Sequence, residues 1–179
     1  MKKHLFALSF LFVYHCIAQK NKSKQNLDFQ ITFLEDSPII DGNILGEKLW
    51  EKLPIIENLR QIKPDYGLPA SEKTSIRVAY TNKSFFVAVV CYDTAPDKIV
   101  ISDSRRDADL NDEDSFLFIL DTYNDQQNGF LFGTNASGME YDAQINNEGE
   151  GNFSSNRQQG GVIGGTNINW DASWEVKTE

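Results

Sequence analysis

The feature that most constrains the fold is a series of short apolar runs separated by turn residues. Two of these runs, 85–92 and 115–120, are rich in β-branched and aromatic residues and are too short for ordinary helices. Residues 76–81 alternate between apolar and mixed side chains, as a strand with one buried face does. The run 85–92 is apolar on both faces, which predicts a strand in the middle of a sandwich. The series as a whole predicts an all-β fold, a β-sandwich.

The rest of the chain fits the same fold. A strand at 130–134, a turn at 135–138 and residues 140–145 predict a hairpin, and 147–166 has the composition of a mobile loop. Residues 46–53 predict about two helical turns ended by Pro54, followed by a long loop at 57–74. Trp170 to Lys177 predicts a last strand whose partner is expected beyond Glu179, so the sandwich is expected to be incomplete at its C-terminus and to continue into a further domain.

The N-terminus has the order of a secretory signal peptide. Lys2 and Lys3 precede the apolar run 5–13, and the small residue Ala18 follows. We therefore predict a signal peptide at 1–18, a flexible leader at 19–28 and a sandwich at 29–179, in a protein exported to the periplasm, the outer membrane or the cell surface. A buried N-terminal helix and a lipoprotein acylated on Cys16 are the alternative interpretations.

Removing residues 1–18 limits the chemistry. Both histidines, His4 and His15, leave with the signal, and Cys91 remains as the single thiol. A Ser-His-Asp or Cys-His catalytic site and a zinc site of His and Cys are therefore excluded. Apolar neighbours predict that Cys91 is buried.

The charge balance argues against nucleic acid as a partner. The chain has 17 basic and 26 acidic residues, and without the signal it has 15 and 26, a net charge of −11. The pair Arg105-Arg106 is the only adjacent pair of basic residues in the exported part, whereas phosphate backbones require clustered Lys and Arg. Abundant carboxylates suit calcium and neutral polar ligands.

Aromatic residues are the candidates for sugar binding. Tyr66 and Tyr123 are placed in loops, where recognition residues are common. Trp170 and Trp174 are four residues apart in a predicted strand and so share one face, which suits either stacking on a pyranose or packing on a neighbouring sheet. Trp50, beside Leu49 on the predicted helix, is expected in the core.

An acidic cluster has two interpretations. Its members are Asp107, Asp109, Asp112, Glu113 and Asp114. They form either a solvated loop or, together with Asp93, a set of oxygen ligands for calcium. Glycosidases use a pair of carboxylates, but nothing in this sequence selects a pair, and we assign no catalytic residue.

The ordered motifs resemble a family-9 carbohydrate-binding module. In chain order they are Ile40-Asp41-Gly42, 45–50, 74–80, 85–93, 114–121 and Trp170-Asp171-Ala172-Ser173-Trp174-Glu175, and a narrower version of the family also has counterparts of 96–99 and 105–107. More narrowly, they are similar to the version that opens large Gram-negative bacterial proteins with a predicted C-terminal outer-membrane β-barrel. The resemblance implies a β-sandwich that binds glycan or polysaccharide ends and accompanies enzymes of polysaccharide breakdown.

The resemblance also assigns roles to positions. It implies a structural Ca²⁺ ion on Asp93 and Asp114. It places the first sugar-clamping tryptophan at Asn111, a charged contact at Leu117 and an arginine at Gly133, so sugars are expected to bind weakly, with recognition moved to Tyr66, Tyr123 or the Trp170/Trp174 face. The alternatives are an interaction domain that caps an outer-membrane barrel without a sugar site, and a non-catalytic part of a glycoside hydrolase.

Overall fold

The computed structural model describes residues 29–149 and 165–179 of the 179-residue chain, and Ile31–Glu179 form one compact unit. The described part has two β-sheets and a single helical turn, so the predicted all-β, sandwich-like fold is confirmed. The elements are β1 (Thr32–Phe33), α1 (Lys48–Glu51), β2 (Thr74–Tyr80), β3 (Phe85–Cys91), β4 (Ser115–Leu120), β5 (Gly129–Asn135), β6 (Tyr141–Ile145) and β7 (Thr166–Asn167), with short 3-10 turns at Pro96–Lys98 and Asn147–Gly149.

The first sheet has the order β1-β2-β3. Strands β2 and β3 form an antiparallel hairpin, and β1 pairs with β2 in parallel. The hairpin turn lies between the runs 76–81 and 85–92, and the Thr81 hydroxyl closes it by accepting hydrogen bonds from the N–H groups of Lys83 and Ser84.

A buried cluster lies on one face of this sheet. Trp50 is 4% exposed and packs with Leu53, Ala79 and Ala88, so its predicted place in the core is confirmed. The helix itself is shorter than the predicted 46–53. Gly46 has a φ of +86°, outside the helical region, and the N–H of Leu53 bonds to Trp50 in the tighter 3-10 pattern.

The second sheet has the order β4-β5-β6-β7 and is antiparallel throughout. Burial alternates along β5, so one of its faces is covered and the other is partly open. Leu131, Ala143 and Ile145 form the cluster on the covered face. The bounds of β4 match the predicted run 115–120, and β5 and β6 form the predicted hairpin.

Two predictions about the run 85–92 are wrong. Strand β3 lies at an edge of the first sheet instead of in the middle, since among the described residues it pairs with β2 alone. Cys91, predicted to be buried, is exposed because it ends this edge strand. Partial desolvation of its sulfur raises the pKa of the thiol and outweighs the opposing hydrogen bond with Thr74.

The predicted strand at Trp170–Lys177 has no pairing partner among the described residues, as expected for a strand whose predicted partner lies elsewhere, and it stays a prediction. Burial alternates along this segment as it does in a strand. The predicted signal peptide 1–18, the leader 19–28 and residues 150–164 of the predicted mobile loop lie outside the described residues.

Candidate functional site

One buried amide positions the acidic loop over the second sheet. Asn135, at the end of β5, is 2% exposed. Its side-chain nitrogen donates to the backbone oxygen of Asp103 at 2.7 Å and to a carboxylate oxygen of Glu113 at 3.0 Å. Its oxygen accepts the N–H groups of Ser137 and Met139. Asn135 therefore fixes both ends of the segment 103–113 to the sheet.

A small open cleft lies in this loop. It has a volume of about 280 Å³ and is lined by Ser102, Asp103, Asp109 and Asp112. Hydrogen bonds from Arg105, which also pairs with Asp103 at 2.5 Å, hold the pKa of Asp103 far below its usual range. Three carboxylates and a hydroxyl in one cleft suit ligands that donate hydrogen bonds, such as hydroxyl groups, and repel anions.

Asn111, the predicted position of a sugar clamp, lies between two of the lining residues in the chain. It is exposed, and its backbone N–H donates to Asp109 Oδ1 at 3.0 Å. This bond orients one carboxylate of the cleft. The structure therefore places Asn111 at the cleft as a residue that shapes the loop.

The two other positions that the resemblance assigns to sugar contacts lie together. Leu117 and Gly133 are direct partners in the pairing of β4 with β5. Leu110 covers Gly133, since a Cβ atom there would lie 2.9 Å from a Leu110 methyl group, whereas Leu117 remains 42% exposed. This part of the sheet is therefore apolar, and larger side chains at position 133 would displace Leu110.

The candidate tryptophans pack on the sheet. Trp170 stacks on Phe130 with ring centroids 4.4 Å apart, and Trp174 meets Phe132 edge to face at 5.3 Å. Both indoles are half-buried. The alternative in which these residues pack against a sheet is thus the one that the structure shows, and neither indole presents both faces to a ligand.

An ionic network holds this tryptophan segment in place. Arg106 Nη2 donates to Asp142 Oδ1 at 3.0 Å and to Asp171 Oδ1 at 2.5 Å, and Arg106 Nη1 donates to Glu140. The other oxygen of Asp142 accepts the N–H of Ala172. Desolvation works to lower the pKa of Arg106, but the surrounding carboxylates, led by Asp142, outweigh it and raise that pKa. The network is a structural clamp.

The two candidate tyrosines lie in loops of different sheets. Tyr66 is 86% exposed in the loop after α1, and Tyr123 is 63% exposed in the loop between β4 and β5. The Tyr123 loop is fixed by Asp121 and Asp125, whose carboxylates accept four backbone N–H groups within residues 125–128. Each ring is open to solvent, and neither lines the cleft.

The predicted calcium ligands each hold a backbone amide. Asp93 Oδ1 accepts the N–H of Ala95 at 2.6 Å, and Asp114 Oδ2 accepts the N–H of Val100 at 2.7 Å. Within residues 29–149 and 165–179, no group of three or more His, Cys, Asp or Glu side chains is arranged to hold a metal ion. A calcium site on Asp93 and Asp114 stays a prediction.

The sequence reveals only part of this region. Asp109, Asp112 and Asn111 are singled out by composition and resemblance, whereas the cleft residues Ser102 and Asp103 are missed. A sequence pattern does not identify these two residues, because the contact that positions Asp103 is with Asn135, 32 residues further along the chain.

Comparison with protein-family models, with curated proteins and with solved structures finds no match for this chain. In the described part of the chain, no helix is long and apolar enough to cross a membrane.

Proposed function

We propose that this chain is a non-catalytic carbohydrate-binding module of an exported protein, and that the acidic cleft beside Asn111 holds the end of a neutral glycan chain. The observation that carries the proposal is the cleft itself, a small opening with three carboxylates, two of which flank Asn111 in the chain, the position where the resemblance expects a sugar clamp. Sugar hydroxyls donate hydrogen bonds, and carboxylates accept them strongly.

The size and charge of the cleft suggest its ligand. A volume of about 280 Å³ is at the lower limit for small-molecule sites and suits a single terminal sugar. Asp109 and Asp112 repel uronic acids, sulfated sugars and nucleic acid. An all-β scaffold that holds polar groups on a loop, with no assigned catalytic pair, fits a binding module better than an enzyme.

Weak binding is expected because none of the described residues that line the cleft is aromatic. Apolar stacking is a main contribution to small-ligand affinity, and hydrogen bonds replace equally good bonds to water. We expect dissociation constants on the order of 1 mM, equivalent to about −4 kcal/mol. Multiple copies or further modules would be needed for firm attachment to a polysaccharide.

Calorimetric titration of the purified protein with glucose, cellobiose and xylobiose tests the proposal. Asp112→Ala should weaken binding at least about fivefold by removing one acceptor from the cleft. Asp97→Ala is the matched control, since Asp97 is an exposed aspartate outside the cleft. Absence of binding to all three sugars, or equal affinity of the Asp112→Ala variant, would contradict the proposal.

The loop tyrosines are the competing site. Tyr66→Ala and Tyr123→Ala should leave the affinity unchanged if the cleft is the site. A loss of binding in either tyrosine variant, with Asp112→Ala unaffected, would move recognition to that loop.

A further inference from the structure

Among the described strands, β4 lies at an edge of the second sheet. It pairs with β5 on one side, and in the described part of the chain no backbone hydrogen bond continues along its other side. The pairing of Val100 with Asp114 ends just before the strand begins. Every second residue of β4 therefore points an N–H and a C=O away from the sheet.

The side chains at this edge are apolar and partly uncovered. Leu117 is 42% exposed and Ile119 is 59% exposed. The strand has no charged residue, proline or glycine, although these are the usual means by which sheet edges are protected from pairing. The adjoining Val100, 49% exposed, extends the apolar surface beyond the start of the strand.

The ends of β4 are negatively charged. Asp112, Glu113 and Asp114 precede the strand, and Asp121 follows it. Glu113, Asp114 and Asp121 accept hydrogen bonds from uncharged amide groups, and none of the four has an ion-pair partner among the described residues. The edge is therefore an apolar strip between two anionic ends.

This charge pattern disfavours a second copy of the chain as the occupant. An antiparallel pairing of β4 with another β4 is centred on Leu117 or on Phe118, because residues opposite each other must share a face. In the first register Asp121 of each copy lies opposite Glu113 of the other, and in the second it lies one residue away from Asp114. Like charges directly opposite each other destabilise a strand pair. A segment with basic residues at its ends would instead meet opposite charges.

We propose that β4 is a docking edge for a strand of another polypeptide segment, one with an apolar core flanked by Lys or Arg. The incoming strand extends the second sheet by main-chain hydrogen bonds, covers Leu117 and Ile119, and places its basic ends against Asp114 and Asp121.

Two synthetic peptides test the docking edge. Each has a core of alternating Val and Thr, and the cores are flanked by paired lysines in one peptide and by paired glutamates in the other. Fluorescence anisotropy with the purified protein at low salt should show the lysine-flanked peptide binding at least about tenfold more tightly. The difference should disappear at high salt, because the flanking charges are exposed.

Three further measurements distinguish strand addition from nonspecific hydrophobic binding. Amide exchange should slow along β4, and N-methylation of alternate peptide amides should abolish binding. Ile119→Lys should prevent docking, whereas Ile62→Lys, the same change at a residue 77% exposed in another loop, should not. Melting temperatures of both variants verify that they fold.

Three outcomes would overturn the proposal. One is no binding of the lysine-flanked peptide at millimolar concentration, and another is equal binding of the two peptides. The third is a dimer of the protein alone that Ile119→Lys dissociates, because this result would make a second copy the occupant.

Discussion

At the scale of single residues, Asp142 and Asp171 show how burial determines the contribution of an ion pair to stability. Both carboxylates contact the same guanidinium nitrogen of Arg106, but the Asp142 side chain is 1% exposed and that of Asp171 is 76% exposed. Asp142 also accepts the N–H of Ala172. Removal of Asp142 would leave the N–H of Ala172 without this acceptor and would take from Arg106 its buried counter-charge, while Glu140 and Asp171 remain.

Asp142→Ala should therefore lower the free energy of unfolding by about 3 kcal/mol. Asp171→Ala, which removes a carboxylate from the same nitrogen at the surface, should lower it by about 0.5 kcal/mol or less. Urea denaturation of the two variants measures both values. Equal losses would show that the network does not depend on its buried member.

At the scale of elements, the loop between β4 and β5 is ordered by its aspartates. Asp125 accepts hydrogen bonds from the Asn128 side chain and from the backbone N–H groups of Gln127 and Asn128, and these bonds lower its pKa. The pKa of such a carboxyl is lower in the folded than in the unfolded protein. It stabilises the loop fully at pH values above its unfolded-state pKa, and the stabilisation is lost as the pH falls through its folded-state pKa.

We therefore expect the loop to loosen only below about pH 3.9, the ordinary aspartate value. NMR titration should give Asp125 a pKa below that value. As the carboxyl becomes protonated, the amides of Gln127 and Asn128 should exchange faster relative to their intrinsic rates. Asp125→Ala should give the fast exchange at neutral pH while β4 and β5 remain protected. A pKa at or above the ordinary value would contradict this account of the loop.

Individual strands differ in how well the sequence predicts them. Strand β4 and the hairpin of β5 and β6 are predictable because their signals are local: alternating or continuous apolar residues bounded by Asp121 and by the turn at 135–138. The edge position of β3, and with it the exposure of Cys91, depends on which strands lie beside it. Local patterns carry no information about such neighbours.

The candidate site, like the fold, is predictable from the sequence only where its residues lie close together in the chain. Asp109, Asn111 and Asp112 stand close together in the chain and are found by composition and resemblance. The Arg106 clamp joins residues as far apart as Asp171, 65 positions away, and no periodicity marks such a contact. The cleft could therefore be only partly predicted from the sequence.

At the scale of the whole molecule, Thr178 links the two halves of the fold. A Cβ atom on Gly42, in the loop before α1, would lie 3.0 Å from the carbonyl carbon of Thr178. The Thr178 hydroxyl donates to the oxygen of Ala136 at 3.1 Å in the turn between β5 and β6. Because the two sheets have separate buried clusters, this junction contributes to holding them together.

Gly42→Ala and Gly46→Ala separate the junction from backbone strain. Both glycines have a positive φ, which costs an alanine about 1 kcal/mol, but no atom of the described residues lies within 4 Å of a Cβ at Gly46. Gly42→Ala should therefore lower the free energy of unfolding by at least about 1 kcal/mol more than Gly46→Ala. Equal values in urea denaturation would show that the contact with Thr178 is unimportant.

Melting in calcium and in chelator tests the metal prediction. An ion held by Asp93 and Asp114 in the native state alone would raise the melting temperature, and Asp114→Asn would remove most of that rise. An unchanged melting temperature in the wild-type protein would contradict the calcium prediction, and the two aspartates would then serve only the amides of Ala95 and Val100.

The central claim is that a glycan end binds in the acidic cleft, and amide NMR spectra recorded during titration with cellobiose test it most directly. Binding in the cleft should shift the backbone signals of 102–112, including Asn111, with saturation at millimolar sugar. The signals around Tyr66 and Tyr123 should stay in place. Shifts confined to either tyrosine loop, or no shifts at saturating sugar, would contradict the assignment of the cleft as a carbohydrate site.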